Sequence, residues 1–287
     1  MKLSLRLVTL FALLVYTTTW GQADSELRTK ANVLFDKEQY TDATQLYLQL
    51  LSLQPKDVDL NFKYGVCLLH NSNNKSAAIR YLNFVVKEQP ENADAYFFLG
   101  KAYHVGYYFD QATLNYNIYL KKCGSKGKYI SEANRNIQMS ANGKKLLSKI
   151  TDVHVKEKME VGKENFYRGY NLENIGGSLI QALDFQSKVD KKKGHKPVVH
   201  LLSGSELIYF SSYGDGDNLD IYVVRRLPNG NFGVPQKILG EVNTSFDEDY
   251  PYLHPNGKEL FFSSKGHNSM GGYDIFKATF DPENNQF

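Results

Sequence analysis

Residues 208–222 read IYFSSYGDGDNLDIY, and residues 260–276 read LFFSSKGHNSMGGYDIF. This is one motif written twice: an aromatic-rich strand, a Ser-Ser stop, a Gly/Asp loop and then Asp-Ile-aromatic. Phe210 and Phe262 are 52 residues apart, Asp220 and Asp274 are 54 apart, and the extra residues fall in the loop 265–272. A repeat of this size makes one sheet, which cannot bury both of its faces alone and needs neighbours stacked against it. Two copies do not close on themselves. The expectation is therefore the front part of a larger architecture, with strand edges left open and prone to association.

Outward from these two copies, the second half keeps the same texture. Strands are predicted at Phe166–Leu172, Leu179–Phe185, Val198–Leu202, Leu207–Ser211, Ile221–Val224, Tyr250–Leu253, Leu260–Ser263 and Ile275–Phe280, after the alternating Val153-His154-Val155. Gly176-Gly177, Gly204, Pro228-Asn229-Gly230 and Pro255-Asn256-Gly257 mark the turns between them. Many short, closely spaced strands predict an antiparallel all-β body. The run 255–264 and the elements Gly271-Gly272-Tyr273-Asp274-Ile275-Phe276 and 240–248 resemble the WD40-like repeat of TolB-type β-propellers. The likeness covers about 196–287, and it implies one propeller blade per repeat, the two together making an incomplete β-propeller. Residues 150–195 fit it poorly and read as a connecting β segment or a degenerate blade.

The first half repeats with another period. Ala31, Gly65 and Gly100 recur, as do Ala43, Ala78 and Ala112, then Tyr47, Leu82 and Tyr116, then Pro55 and Pro90, all at spacings of 34 or 35. That is the period of a helix-turn-helix solenoid. The small residue on the first helix and the alanine on the second let the two helices approach closely, the apolar or aromatic residue fills the gap between units, and the proline ends the second helix. Residues 25 to about 123 resemble three tetratricopeptide repeats, with a capping helix over 131–149 bearing Ile137, Ala141, Leu146 and Leu147. The fold class is thus an all-α helical repeat (25–149) followed by an all-β half.

The tetratricopeptide resemblance implies a groove lined by the first helix of each pair. Carried onto this chain, its partner-binding positions are Arg28, Asn32, Phe62, His70, Phe97, Lys101 and His104. Arg28 and Asn32 match the opening of the subclass that clamps a peptide's terminal carboxylate. Asp94 stands where its third repeat needs a cation, so that clamp is incomplete. The alternative is that these residues only solvate a spacer.

Export is the second expectation. Lys2 and Arg6 precede an apolar run from Leu7 to Tyr16, and small residues follow up to Ala23. These are the three parts of a secretory signal, here 1–21 with cleavage after Gly21 or Ala23. The run is shorter than the roughly 20 residues a membrane span takes. Losing Lys2 and Arg6 takes the formal charge from +3 to +1, which gives no general attraction to nucleic acid. Cys67 and Cys123 are the only cysteines; export permits a bridge, but both sit in or beside predicted helices, where a buried free thiol is common.

Catalytic and cofactor signals are weak. Asp215-Gly216-Asp217-Asn218-Leu219-Asp220 spaces carboxylates as calcium loops do but lacks their remaining ligands, and reads as a turn with Asp220 and Asp274 bonding backbone amides. Asp247-Glu248-Asp249 offers an acid/base pair without an identifiable partner and reads as structural. Gly124-Ser125-Lys126-Gly127-Lys128 is not a phosphate loop, because Tyr129 stands where Ser or Thr is required. Lys191-Lys192-Lys193 reads as a solvated loop. Gly-x-Ser-x-Gly, His-Glu-x-x-His and paired-cysteine motifs are missing, so no catalytic residue, metal or cofactor is expected.

The order of the parts resembles envelope proteins in which tetratricopeptide repeats, a propeller and a peptidoglycan-gripping domain like that of outer-membrane protein A follow one another, some serving type IX secretion and gliding. The resemblance implies a non-enzymatic, outer-membrane-associated periplasmic scaffold. Its partners would be proteins or peptides, with peptidoglycan or outer-membrane proteins reached through further domains. The other readings are the propeller part of an exported serine peptidase and a ligand-binding sensor.

Overall fold

The computed structural model describes residues 24–71, 73–148, 158–162, 165–202 and 204–287. The expected signal segment and the alternation at Val153–Val155 lie outside these residues. The chain divides after Leu147 into two compact units.

The first unit is helical. α1 covers 24–36, followed by α2 (Tyr40–Leu53), α3 (Val58–Asn71), α4 (Ala78–Glu88), α5 (Ala93–Val105), α6 (Phe109–Cys123) and α7 (Ile130–Leu147). The repeat period returns as geometry. α2 and α4 both stop at a Gln before a proline, Gln54 at φ −127° and Gln89 at φ −128°, because proline pushes the residue before it out of the helical region. Hairpins close where the small and large positions meet. A Cβ on Gly65 would stand 2.8 Å from Leu82 Cγ, and one on Gly100 would stand 2.7 Å from Tyr116 Cε1. Leu82 and Tyr116 are fully buried there, so the glycines set how closely the paired helices approach. The capping helix begins at Ile130 and packs on both α6 and α5.

Among the described residues the second unit holds three small antiparallel sheets: β1 (Ser178–Gln181) with β2 (Val198–Leu201); β3 (Leu207–Ser212), β4 (Asp220–Arg225) and β5 (Gln236–Lys237); and β6 (Glu248–Leu253), β7 (Glu259–Ser264) and β8 (Asp274–Thr279). The two motif copies pair in the same register. Phe210 faces Tyr222 and Ser211 faces Ile221 in the first; Phe262 faces Phe276 and Ser263 faces Ile275 in the second. Alternation then sorts the residues onto two faces. Ile208, Phe210 and Val224 form one core with Ala182, Phe185 and Val199. Tyr209 and Ile221, on the opposite face, form another with Leu260, Phe262 and Phe276 of the next sheet.

The Ser-Ser stop has a polar function. Ser212 Oγ donates to Asp190 at 2.6 Å and accepts from Gly214 N at 3.0 Å. Ser264 Oγ donates to Glu248 at 2.6 Å and accepts from Gly266 N at 2.8 Å. Each repeat thus seats a serine on a fully buried carboxylate. Burial acts to raise the Asp190 carboxyl, but hydrogen bonds from Ser212, Tyr213 N–H and Ser187 outweigh it and hold it below the usual carboxylate range.

Three expectations change. Phe166–Gly169 and Leu183–Phe185 are 3₁₀ turns rather than strand. The lysine run is not a loop but α8 (Lys188–Lys193), started by a reciprocal cap between Ser187 and Asp190 and ended by left-handed Gly194. β5 went unforeseen because two polar residues carry no apolar alternation. The Asp-rich loop is half as read: Asp274 accepts from Met270 N at 2.7 Å, whereas Asp220 pairs with Lys237 at 2.7 Å instead of a backbone amide.

Candidate functional site

The first helices of successive hairpins form one layer, since α3 touches α5 and α5 touches α7, while side chains of α1 reach α3. The expected groove residues lie along this layer, and the structure connects most of them to one another through intramolecular partners.

Arg28 donates to Gln54 Oε1 at 3.0 Å and to Asp57 Oδ2 at 2.5 Å, with Asp59 at 3.6 Å. Asp57 also caps α3 by accepting from Leu60 N at 2.9 Å. The hydrogen bond to Asp57, acting against partial burial, raises the Arg28 pKa. Burial acts to raise the Asp57 carboxyl, but the bonds from Arg28 and Leu60 N hold it below its ordinary value. Asn32 Oδ1 accepts from Tyr47 Oη and Lys63 Nζ, both at 2.9 Å, and Lys63 pairs with Asp59 at 3.2 Å. Arg28, Asp59, Lys63 and Asn32 are therefore one closed network. A cation spent this way on acidic partners of its own chain is poorly placed to clamp a peptide carboxylate.

Phe62 is half-buried and meets Phe98 edge-on at 5.6 Å. Phe97 departs from expectation: it is 0% exposed and stacks on Tyr129 at 4.3 Å with the rings 4° from parallel. It is a core residue because α7 and the turn before it cover it, and it offers a partner no side-chain surface. Lys101 lies over the Phe97 ring at 5.5 Å and pairs with Glu132 of α7 at 2.8 Å. His104 Nδ1 is 2.8 Å from Ser140 Oγ, also on α7. His70 lies at the surface with one ring face on Tyr40, 4.2 Å away and 16° from parallel. Partial burial first, and the charge of Lys101 second, lower the His70 pKa.

Sequence reasoning missed Glu132, Ser140 and Tyr129. α7, expected as a capping helix over 131–149, occupies the place of a fourth first helix and brings these residues to the layer. Along the layer, aromatic edges and the His70–Tyr40 stack lie among side chains already paired, an arrangement suited to binding rather than bond chemistry.

The β unit brings together a serine, a histidine and an aspartate, but not in catalytic order. Ser211 Oγ donates to Asp249 Oδ1 at 2.5 Å, and His195 Nε2 stands 3.1 Å from Ser211 O and 3.5 Å from its Oγ. The serine sits between carboxylate and imidazole with its proton turned to the carboxylate, whereas a relay needs the imidazole in the middle. Among the described residues, no group of three or more His, Cys, Asp or Glu is arranged to hold a metal, and Cys67 and Cys123 are free thiols. No described helix is long and apolar enough to cross a membrane.

Comparison with curated proteins finds no significant match. Among solved structures, the TPR2B-domain:pHsp70 complex of yeast Sti1 shares 17% identity, covering 41% of this chain and 95% of that one, at a TM-score of 0.36. The Sgt2 TPR domain from Aspergillus fumigatus shares 15%, covering 49% and 91%, at 0.37. The Yersinia enterocolitica secretion chaperone SycD with a peptide of the translocator YopD shares 14%, covering 43% and 93%, at 0.35. At these identities and scores no partner passes from those structures to this chain. The tetratricopeptide-repeat family model matches residues 28–83 and 71–106. Together with the 34–35-residue period and the hairpin packing, this match means that the helical unit carries tetratricopeptide repeats.

Proposed function

We propose that this chain is a non-enzymatic, protein-binding scaffold whose helical layer takes a peptide segment of a partner and whose β unit is a set of propeller blades. The observation that carries the reading is the tetratricopeptide layer itself, with His70 at its surface and its cations neutralised by Asp57, Asp59 and Glu132. That neutralisation favours an apolar or aromatic segment over a terminal carboxylate. The blade reading is supported by two three-stranded sheets with equal register, stacked in sequence order. The signal-like start supports export to the periplasm and association with the outer membrane, where secretion, gliding or peptidoglycan attachment are the settings the resemblance implies. A photo-crosslinking side chain at position 70 should capture a partner in cells that the same probe at Leu114, exposed on α6, does not capture. Equal capture at both positions would sink the groove. Cell fractionation and N-terminal sequencing test export, and an unprocessed Met1 in the cytoplasm would end that part of the reading.

A further inference from the structure

We propose that the cavity between Tyr250 and the 166–179 segment of the β unit is a binding site for a neutral aromatic small molecule. The inference goes beyond the partner-binding reading and depends neither on the helical groove nor on the blade assignment.

The cavity measures about 370 Å³ and is partly open to solvent. Small-ligand sites span about 300–1,000 Å³. Aromatic rings line it, those of Phe166, Tyr167, Tyr170, Tyr250 and Tyr252, with aliphatic groups such as Leu179 and Val198 between them. Its far wall is tied to the sheet. β1 pairs with β2 from Ser178 to Gln181, and His200 Nε2 meets Gly176 O at 2.8 Å. Gly177, left-handed at φ 77°, brings its backbone closer to Leu201 O than any side chain would allow.

Tyr250 is turned into the cavity by a break in the strand. Asp249 pairs with Ser263 and Tyr252 with Phe261, so Tyr250 and Pro251 together stand against Phe262 alone. An extra residue of this kind is a β-bulge, and a left-handed first position in one ordinarily takes glycine. Here it is a tyrosine at φ 51°, directly before a proline, which restricts it further. Asp249 Oδ1 accepts from Tyr250 N at 2.8 Å and holds the bend. The Tyr250 ring meets Phe166 edge-on at 5.9 Å and stays half-exposed. Strained backbone that presents an aromatic ring to an open cavity is the mark of a ring in use.

The lining selects the ligand. Among the described residues no charged side chain lines the cavity, so a charged ligand would give up hydration without meeting a counter-charge. A sugar would leave most of its hydroxyls against hydrocarbon. A flat ring stacks offset on the tyrosine faces or meets them by its edge. Hydrogen-bonding groups remain to orient it. His200 Nε2 faces a carbonyl, which only accepts, so in the neutral ring Nε2 carries the proton and Nδ1 is left as an acceptor. Ser263 Oγ and the hydroxyls of Tyr170, Tyr250 and Tyr252 have no hydrogen-bond partner among the described residues. The ligand is thus an uncharged aromatic carrying a hydroxyl or N–H.

Two dyes of one skeleton test this: N-phenyl-1-naphthylamine, which is neutral, and 8-anilino-1-naphthalenesulfonate, which adds a charge. In fluorescence titrations of the full chain the neutral dye should saturate a single site and bind about tenfold or more tighter than the sulfonate. Tyr250→Gly suits the left-handed position and removes only the ring, and it should weaken the neutral dye by about tenfold or more. Tyr250→Phe should retain binding, and Leu114→Ala on α6 should leave it unchanged. Absence of saturable binding by both the neutral dye and the smaller 2-naphthol overturns the proposal. Equal binding of the two dyes, or undiminished binding to Tyr250→Gly, overturns it too. Should amide exchange show that Tyr250→Gly loosens the sheet, Leu179→Trp, which fills the cavity from β1, decides by the same loss of affinity. Partner capture at position 70 bears on the groove alone.

Discussion

The helical unit and the β unit solve the problem of repetition in opposite ways. Helical hairpins are matched by volume: Gly65 receives Leu82, and Gly100 receives Tyr116, with no polar group at the contact. The sheets are matched by hydrogen bonds, a serine on a buried carboxylate in each, Ser212 on Asp190 and Ser264 on Glu248. Volume tolerates small slippage at modest cost, whereas an unpaired buried donor or charge does not. The β unit should therefore be the more brittle of the two.

Breaking a buried carboxylate tests this most severely. Glu248→Ala strands the donors of Thr244 N, Thr244 Oγ1 and Ser264 Oγ, and should destabilise the β unit by about 3 kcal/mol. Urea unfolding followed by amide exchange in each unit measures it. Gly100→Ala pushes a methyl against Tyr116 and should cost the helical unit about 2 kcal/mol by the same measurement. A larger loss from the glycine than from the glutamate would reverse the contrast.

Asp249 sharpens it with pH. Burial raises its carboxyl above the ordinary value, against the opposing bonds from Ser211 and Tyr250 N–H. A folded-state pKa above the unfolded one means the contribution is fully present below the ordinary carboxylate range and is lost as pH rises through the folded value. The β unit should gain stability as pH falls from neutral toward the ordinary carboxylate range. Asp249→Asn, which keeps an acceptor oxygen for both donors, should flatten the difference, and an unchanged pH slope in that variant would refute the assignment.

Thiol labelling compares core with edge inside the helical unit. Burial pushes Cys67 up to about 12, against a bond from Thr44, so its thiolate is scarce at neutral pH, whereas Cys123 is only half-buried. Cys123 should react with iodoacetamide and Cys67 should wait for unfolding. The smallest effect belongs to Lys144→Ala. Its pair with Asp110 is open to solvent on both sides, and removal should shift stability by less than about 0.5 kcal/mol.

The features legible in the sequence were those written in volume and period. Gly65, Gly100, Leu82 and Tyr116 could be read as packing positions before any coordinates, because size and a 34–35-residue spacing define them, although the large residues fill the hairpin against the glycines and not the gap between units. The pairing of the two β motif copies was equally open. Partners that depend on distant polar residues were hidden. Nothing in the sequence joins Asp190 to Ser212 or Arg28 to Asp57, and no periodicity marks the two-residue β5. Phe97 was misplaced for a related reason: its exposure depends on α7 and Tyr129, outside the three repeats that suggested the groove.

The serine–carboxylate pairs also bear on how the chain reaches its fold. Ser212 and Asp190 are 22 residues apart and Ser264 and Glu248 are 16 apart, whereas the Ser211–Asp249 contact between sheets spans 38. Short loops close at lower entropic cost and sooner. Those spans favour each sheet locking by itself before the longer contact between sheets forms, whichever compartment the chain folds in.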